Sequence, residues 1–255
     1  MTSTTKNNFK KIIKILLIII FWIGVWEIFS IFVNNNFLLP SVQKTAEELK
    51  AILISTSSYK IMLLTLLRVG LGFSLGVILG VFLGIVCQRI HLLDEIISPA
   101  LLIIKSTPVA SFIIILWITM SGNALSVFIA VLMVMPIIYQ NVSDAYSSID
   151  VNLSEVCDVF KFSKAKKFKL LVLPAITAYL VPAVITSLGL AWKAEIAAEI
   201  IAYTKSSIGQ QINDAKFYMN TPRVFAWTII VIVFSLIFEK IAKYFIRRFK
   251  NVNNH

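Results

Sequence analysis

Apolar residues in this chain come in long uninterrupted runs separated by short polar stretches. A bilayer core about 30 Å thick takes about 20 apolar residues in a helix. Runs of that order lie near 12–33, 61–87, 100–120, 124–142, 175–201 and 224–244. The pattern predicts six membrane-spanning helices in an all-α chain. The third and fourth are the least separated: Ser121-Gly122-Asn123 leaves a tight hairpin, and Lys105-Ser106-Thr107-Pro108 lies close to the start of the third. Between the first two, Thr45, Glu47, Glu48 and Lys50 alternate with Ala46, Leu49, Ile52 and Leu53. That is a short amphipathic helix, too polar to cross and expected to lie flat on the outer interface. Nothing else divides the chain, so residues 1–255 read as one transmembrane domain.

Composition agrees with this picture. With 58% hydrophobic and 15% charged residues, the chain has too little polar surface to solvate a globule. Its net charge of +11 would suit a nucleic-acid partner, but Lys and Arg sit in short clusters between the apolar runs, where membrane proteins mark cytoplasmic loops. No nucleic acid is expected. The clusters at Lys6, Lys10, Lys11 and Lys14, at Arg89, at Lys161 to Lys169 and at Arg247-Arg248-Lys250 fall on one side of a six-span chain, which puts both termini in the cytoplasm. The first run is long for a signal peptide and has no small-x-small cleavage site after it, so it reads as a retained helix. Cys87 and Cys157 show no metal-ligand or Cys-x-x-Cys spacing and are expected to be reduced thiols.

The chemistry of an enzyme is missing. His91 falls in a loop and His255 is the last residue, so neither completes a buried triad or a metal site. There is no Gly-rich phosphate loop followed by Lys-Ser/Thr and no HExxH. No catalytic residue, resident metal or cofactor is expected, and driven transport would need a partner to supply the energy.

Gly72, Gly76, Gly80 and Gly84 recur every fourth residue in the second span. On a helix they line one face that a neighbouring helix can approach closely. The spacing leaves open whether that neighbour belongs to the same subunit, which we favour, or to a second copy. Intramembrane charges are functional candidates by default: Glu27 in the first span, and Lys193, Glu195 and Glu199 in the last two turns of the fifth. Glu27 is expected to face a neighbouring helix. Lys193 and Glu195 are expected to snorkel or pair near the outer interface. Trp192 reads equally as an aromatic-belt anchor or as a pathway residue.

Between the fourth and fifth spans lies SEVCDVFKFSKAKKFKLLVLPAITAYLVP, from Ser154 to Pro182. Taken alone it could be a solvated basic connector held to anionic lipid. Its order of residues resembles the cytoplasmic coupling loop of permease subunits of binding-protein-dependent ABC importers: a Glu, two small residues, a Gly further on, then Leu-Pro. Glu155 falls on the Glu, Val156 and Cys157 on the small pair, Ser163 on a small polar position, and Leu173-Pro174 on Leu-Pro. Lys161 stands where the family usually has Gly, a residue that permits a positive-φ turn. Either Lys161 keeps that turn, or the segment from Glu155 through Lys169 has become one helix. Phe162-Ser163 reads as the start of a second short helix with Ser163 as its N-cap, which favours the first.

The resemblance extends to SLGLAWKAEIAAEII, where Ser187, Leu188, Gly189, Trp192, Ala197, Ala198 and Glu199 match a pattern of the nitrate, sulfonate, taurine and thiamine-precursor branch. TLLRVGLGFSLGVILGVFLGI, with Arg68 and Gly72, and KSTPVASFIIILWI, with Pro108 and Trp117, are similar to it as well. It implies a type I ABC importer-like permease fold of six helices, with a coupling loop at about 143–174. It implies that Glu155, Val156, Cys157, Lys161, Ser163, Leu173 and Pro174 meet an ATPase subunit, and that Trp192 and Glu199 belong to the translocation pathway or its gate. The implied assembly is two permease copies, two ABC ATPase subunits that bind ATP and Mg, and an extracytoplasmic substrate-binding protein, in a bacterial cell membrane. An ion-coupled secondary transporter is the alternative, although Glu27 is nearly all the midplane acid such a mechanism would find here.

Overall fold

A computed structural model describes residues 3–120 and 122–252, with side chains described from 13 to 120 and 122 to 244. The side chains of Lys6, Lys10, Lys11, Arg247, Arg248 and Lys250, and all of Ser121 and His255, lie outside the described residues. In order the helices are α1 (Ser3–Val33), α2 (Val42–Ile54), α3 (Thr56–Cys87), α4 (His91–Ser106), α5 (Val109–Trp117) and α6 (Gly122–Ser147). There follow α7 (Val151–Val159), α8 (Lys164–Lys167), a π-helical turn (Phe168–Val172), α9 (Leu173–Ile201), α10 (Ile208–Phe217) and α11 (Thr221–Val252). Five stretches are long and apolar enough to cross a bilayer, and a sixth is the bent pair α4 and α5. The chain forms two compact units. One holds α1, α2 and Gln211–Val231, the other Lys60–Gln210 and α11 from Ile232 onward.

In the first unit, α2 begins where Ser41 accepts a hydrogen bond from the Lys44 N–H at 3.4 Å. Glu27 of α1 accepts from the Val42 N–H at 2.8 Å, so this intramembrane acid meets the positive end of α2. Beside it the Trp26 indole N–H donates to the Pro40 carbonyl at 3.0 Å.

The second unit is built on α6, whose Ala130, Val134, Ile138 and Val142 are wholly buried. The glycine stripe of α3 packs on that row within the same chain. A Cβ added at Gly72, Gly76, Gly80 or Gly84 would lie 2.6 or 2.7 Å from the Cβ of Ala130, Val134, Ile138 or Val142 respectively. Two rows with the same four-residue period mesh along four turns, which only glycine permits at this separation.

The third span departs from expectation. Residues 100–120 do not form one helix; α4 ends at Ser106, α5 starts at Val109, and their axes differ by 102°. Pro108 causes the break, because it lacks an N–H and pushes its predecessor out of the helical region. Thr107 accordingly sits at φ −85, ψ 136 and Pro108 at φ −57, ψ 130. The fifth span also differs. Rather than starting near 175, one helical rod runs from Lys164 to Ile201 over 38 residues. Leu173-Pro174 therefore lies inside a helix and not at its mouth. The π-helical turn accommodates the proline, with the Leu173 N–H reaching back five residues to the Phe168 carbonyl, the kind of widening by which a helix absorbs an irregular turn.

Candidate functional site

The coupling segment takes a defined shape. Asp150 caps α7, its side chain accepting from the Asn152 N–H at 2.8 Å. α7 ends in a Schellman turn: the Phe162 N–H donates to the Cys157 carbonyl at 2.9 Å and the Lys161 N–H to the Asp158 carbonyl at 3.0 Å. Such a turn needs a left-handed residue between those two donors, and Lys161 supplies it at φ +51. Lys161 thus keeps the turn for which the family uses glycine. Ser163 then caps α8, accepting from the Lys166 N–H at 3.3 Å. Lys167 closes the corner by donating to both carboxylate oxygens of Asp158 at 2.9 Å, and Lys166 lies 3.9 Å from the centre of the Phe162 ring.

What this corner presents is uneven. Cys157 is buried, while Glu155, Val156, Lys161, Ser163, Leu173 and Pro174 are exposed. Val151, Leu153, Val156, Val159 and Phe160 are all exposed as well, Val159 at 78% and Phe160 at 69%. α7 has nine residues, far too few to span a bilayer, and it carries an apolar patch larger than isolated surface residues would make.

At the far end of the rod stands a buried polar knot. Glu199, 0% exposed, accepts from Thr65 at 2.8 and 3.1 Å, from Arg68 at 3.0 Å and from the Gly209 N–H at 3.2 Å. Arg68 also donates to the Lys205 carbonyl at 3.1 Å, and Thr65 accepts from the Ile208 N–H at 3.1 Å. The first N–H groups of α10 therefore point at the Thr65-Glu199 pair, as helix N-termini favour anions. Gly209 is required by this approach: a Cβ there would lie 2.3 Å from that of Glu199. The knot ties α3, the end of α9 and the start of α10 together. Glu199 is wholly enclosed by these partners.

Its neighbours differ from the sequence reading. Glu195, expected near the outer interface, is fully buried beside the Ser126 side chain, and neither carboxylate oxygen makes a hydrogen bond of full geometry among the described residues. The i,i+4 spacing turns it inward with Glu199. Lys193 on the opposite side is exposed, as snorkelling requires. Trp192 is no belt anchor: it is 1% exposed and packs on Phe234 and Phe238 with ring centres 5.9 and 5.2 Å away. Arg68 was visible in the sequence as a cation inside an apolar span, but its role as the partner of Glu199 was not. Thr65 and Gly209 carried no signal.

Comparisons with known proteins agree with this architecture. The family model described as "Binding-protein-dependent transport system inner membrane component" matches residues 76–251. A curated relative from Bacillus subtilis (strain 168), described as a putative aliphatic sulfonates transport permease protein SsuC, is 25% identical over 214 residues, which are 83% of this chain and 77% of the relative. Among solved structures, one described as an amino acid ABC transporter with histidines superposes with a TM-score of 0.61 at 16% identity, covering 74% of this chain and 92% of that one. Another, the MetNI methionine ABC transporter in inward-facing conformations, gives 0.59 at 16% identity, covering 74% and 93%.

Proposed function

The chain belongs to the binding-protein-dependent transport system inner membrane components, and from that premise we propose that it is an ATP-driven import permease whose α7–α8 corner docks on a separate ATPase subunit. It is a multi-pass permease component of an ABC importer, with the type I permease fold. The finer reading is that two copies pair, two ATPase subunits bind ATP and Mg, an extracytoplasmic protein delivers the solute, and both termini face the cytoplasm. The sulfonate relative favours a small organic sulfonate or related oxyanion as cargo.

The observation that carries this reading is the exposed apolar face of α7 held beside Glu155 by a fixed turn. A nine-residue helix that leaves Val159 and Phe160 uncovered has a surface for a partner to bury. The corner is continuous with one rod of 38 residues, about 57 Å at 1.5 Å per residue, which ends at the Glu199 knot. A displacement of α7 by the ATPase is thereby transmitted as a rigid movement of α9, and the knot sets how readily the other end yields. Reconstitution of the permease with its ATPase and binding protein in liposomes tests this. Uptake should require ATP and fail for Glu155→Lys with the subunit still folded; normal uptake by that variant would refute docking at α7.

A further inference from the structure

The break between α4 and α5 leaves backbone groups without partners. The Ile104 carbonyl would take its helical hydrogen bond from residue 108, and Pro108 has no N–H to give. Among the described residues the Lys105 and Ser106 carbonyls accept no backbone hydrogen bond either, and the Val109 and Ala110 N–H groups donate none. Thr107 does not fill the gap, because its N–H and its hydroxyl both go to the Ile103 carbonyl, at 3.0 and 2.8 Å.

Two observations place these groups deep in the membrane. Ile104 packs both on the cluster that holds Leu132 and on the one that holds Tyr139, and those residues lie in the middle of α6 (Gly122–Ser147). The 16 residues of α4 rise about 24 Å at 1.5 Å per residue, short of the roughly 30 Å hydrocarbon core. Irregular backbone at that depth occurs only where protein buries it or where it lines a water-filled cavity. The rest of the chain does not bury it, since Lys105, Ser106 and Pro108 are all exposed. A second copy pressed dry against the break would have to match every one of these carbonyls and N–H groups.

We propose that residues 104–110 form a stretch of the wall of the translocation pathway, where water pairs with the open backbone groups and a polar solute exchanges with that water. The Lys105 ammonium and the Ser106 and Thr107 hydroxyls add to a polar wall, whereas Ile113 on the far side of α5 is wholly buried against α6 and α9. This rests on the transport reading and adds which part of the chain the solute passes.

The test uses full-length permease with Cys87 and Cys157 replaced by Ala, assembled with its ATPase in lipid nanodiscs, which leave both membrane faces open. Ser106→Cys and Ile78→Cys variants are reacted with a charged, water-soluble thiol reagent, and labelling is read by mass spectrometry. Ile78 is 62% exposed and points away from the glycine stripe. It shares the depth of the break, because Gly76 and Gly80 on either side of it meet Val134 and Ile138. A thiol in lipid stays protonated and inert, so Ser106→Cys should react at least about tenfold faster than Ile78→Cys. In proteoliposomes with the ATPase outward, reagent added from that side should reach Ser106→Cys without nucleotide and react more slowly once a non-hydrolysable ATP analogue is bound. Equal, slow labelling of the two variants overturns the proposal, and so does a Ser106→Cys that resists the reagent but cross-links to a second copy, which makes the break a dry seam. A labelling rate indifferent to nucleotide also overturns it, leaving a static pocket. Labelling is read without uptake, so a wild type that fails ATP-driven uptake strikes the transport reading, while normal wild-type uptake with an inert Ser106→Cys strikes this proposal alone.

Discussion

Arg68 on α3 and Glu199 in the last turn of α9 form an ion pair at 3.0 Å with side-chain exposures of 8% and 0%. A buried pair of this kind is weak evidence for net stabilisation, but removing one partner strands the other at a cost of roughly 3–5 kcal/mol. Arg68→Met and Glu199→Met should each lower the unfolding midpoint in detergent sharply. The double variant should lose less than the sum of the two, since no unpaired charge remains. Strictly additive losses would show that the two residues do not depend on each other.

The glycines of α3 are not equivalent. Gly70 has nothing within 4 Å of an added Cβ, whereas at Gly76 that atom would lie 2.7 Å from the Cβ of Val134. Gly70→Ala should be neutral or stabilise by roughly 0.5–1 kcal/mol through helix propensity, and Gly76→Ala should destabilise by about 1–3 kcal/mol through overpacking. Thermal unfolding of both variants decides it; equal effects would mean that the stripe packs elsewhere.

Lys161 holds a left-handed conformation at φ +51 at a cost of about 1–2 kcal/mol for a residue with a Cβ. Lys161→Gly should stabilise by about 1 kcal/mol and leave uptake intact, while Lys161→Val should lose both stability and uptake. A destabilising Lys161→Gly would mean that the Schellman turn is absent in the membrane.

Much of this was legible in the chain. The apolar runs gave the spans because twenty apolar residues have few other uses, and the four-residue glycine period marked a close helix contact. The α7 corner was readable from the order of Glu155, Ser163 and Leu173-Pro174 only through its resemblance to the family, and the capping role of Ser163 from its position after Phe162. What failed was context. Pro108 was visible, but the sequence alone did not say whether it breaks a span or merely starts one. Glu195 looked like an interfacial residue because a sequence shows distance from a helix end and not the direction of burial. The partners of Glu199 come from α3 and α10, more than a hundred residues before it and ten after it in the chain, a link no local pattern carries.

The native thiols cannot report sidedness, because Cys87 and Cys157 are both buried. Exposed positions can. In a background with both cysteines replaced by Ala and expressed without the ATPase, Val159→Cys should react with a membrane-impermeant thiol reagent only after the membrane is opened, and Lys205→Cys should react in intact cells. Labelling of Val159→Cys from outside would invert the orientation and remove the corner from the ATPase side.

The most direct test of docking at α7 is retention of the ATPase by the permease when the apolar face is made acidic. Val159→Asp with Phe160→Asp changes two side chains that are 78% and 69% exposed, so the subunit should insert and unfold at the wild-type temperature. Pulled down through a tag on the permease, wild type should retain its ATPase in constant ratio and drive ATP-dependent uptake, and the double variant should lose both. A double variant that keeps the ATPase and transports normally would contradict docking at α7.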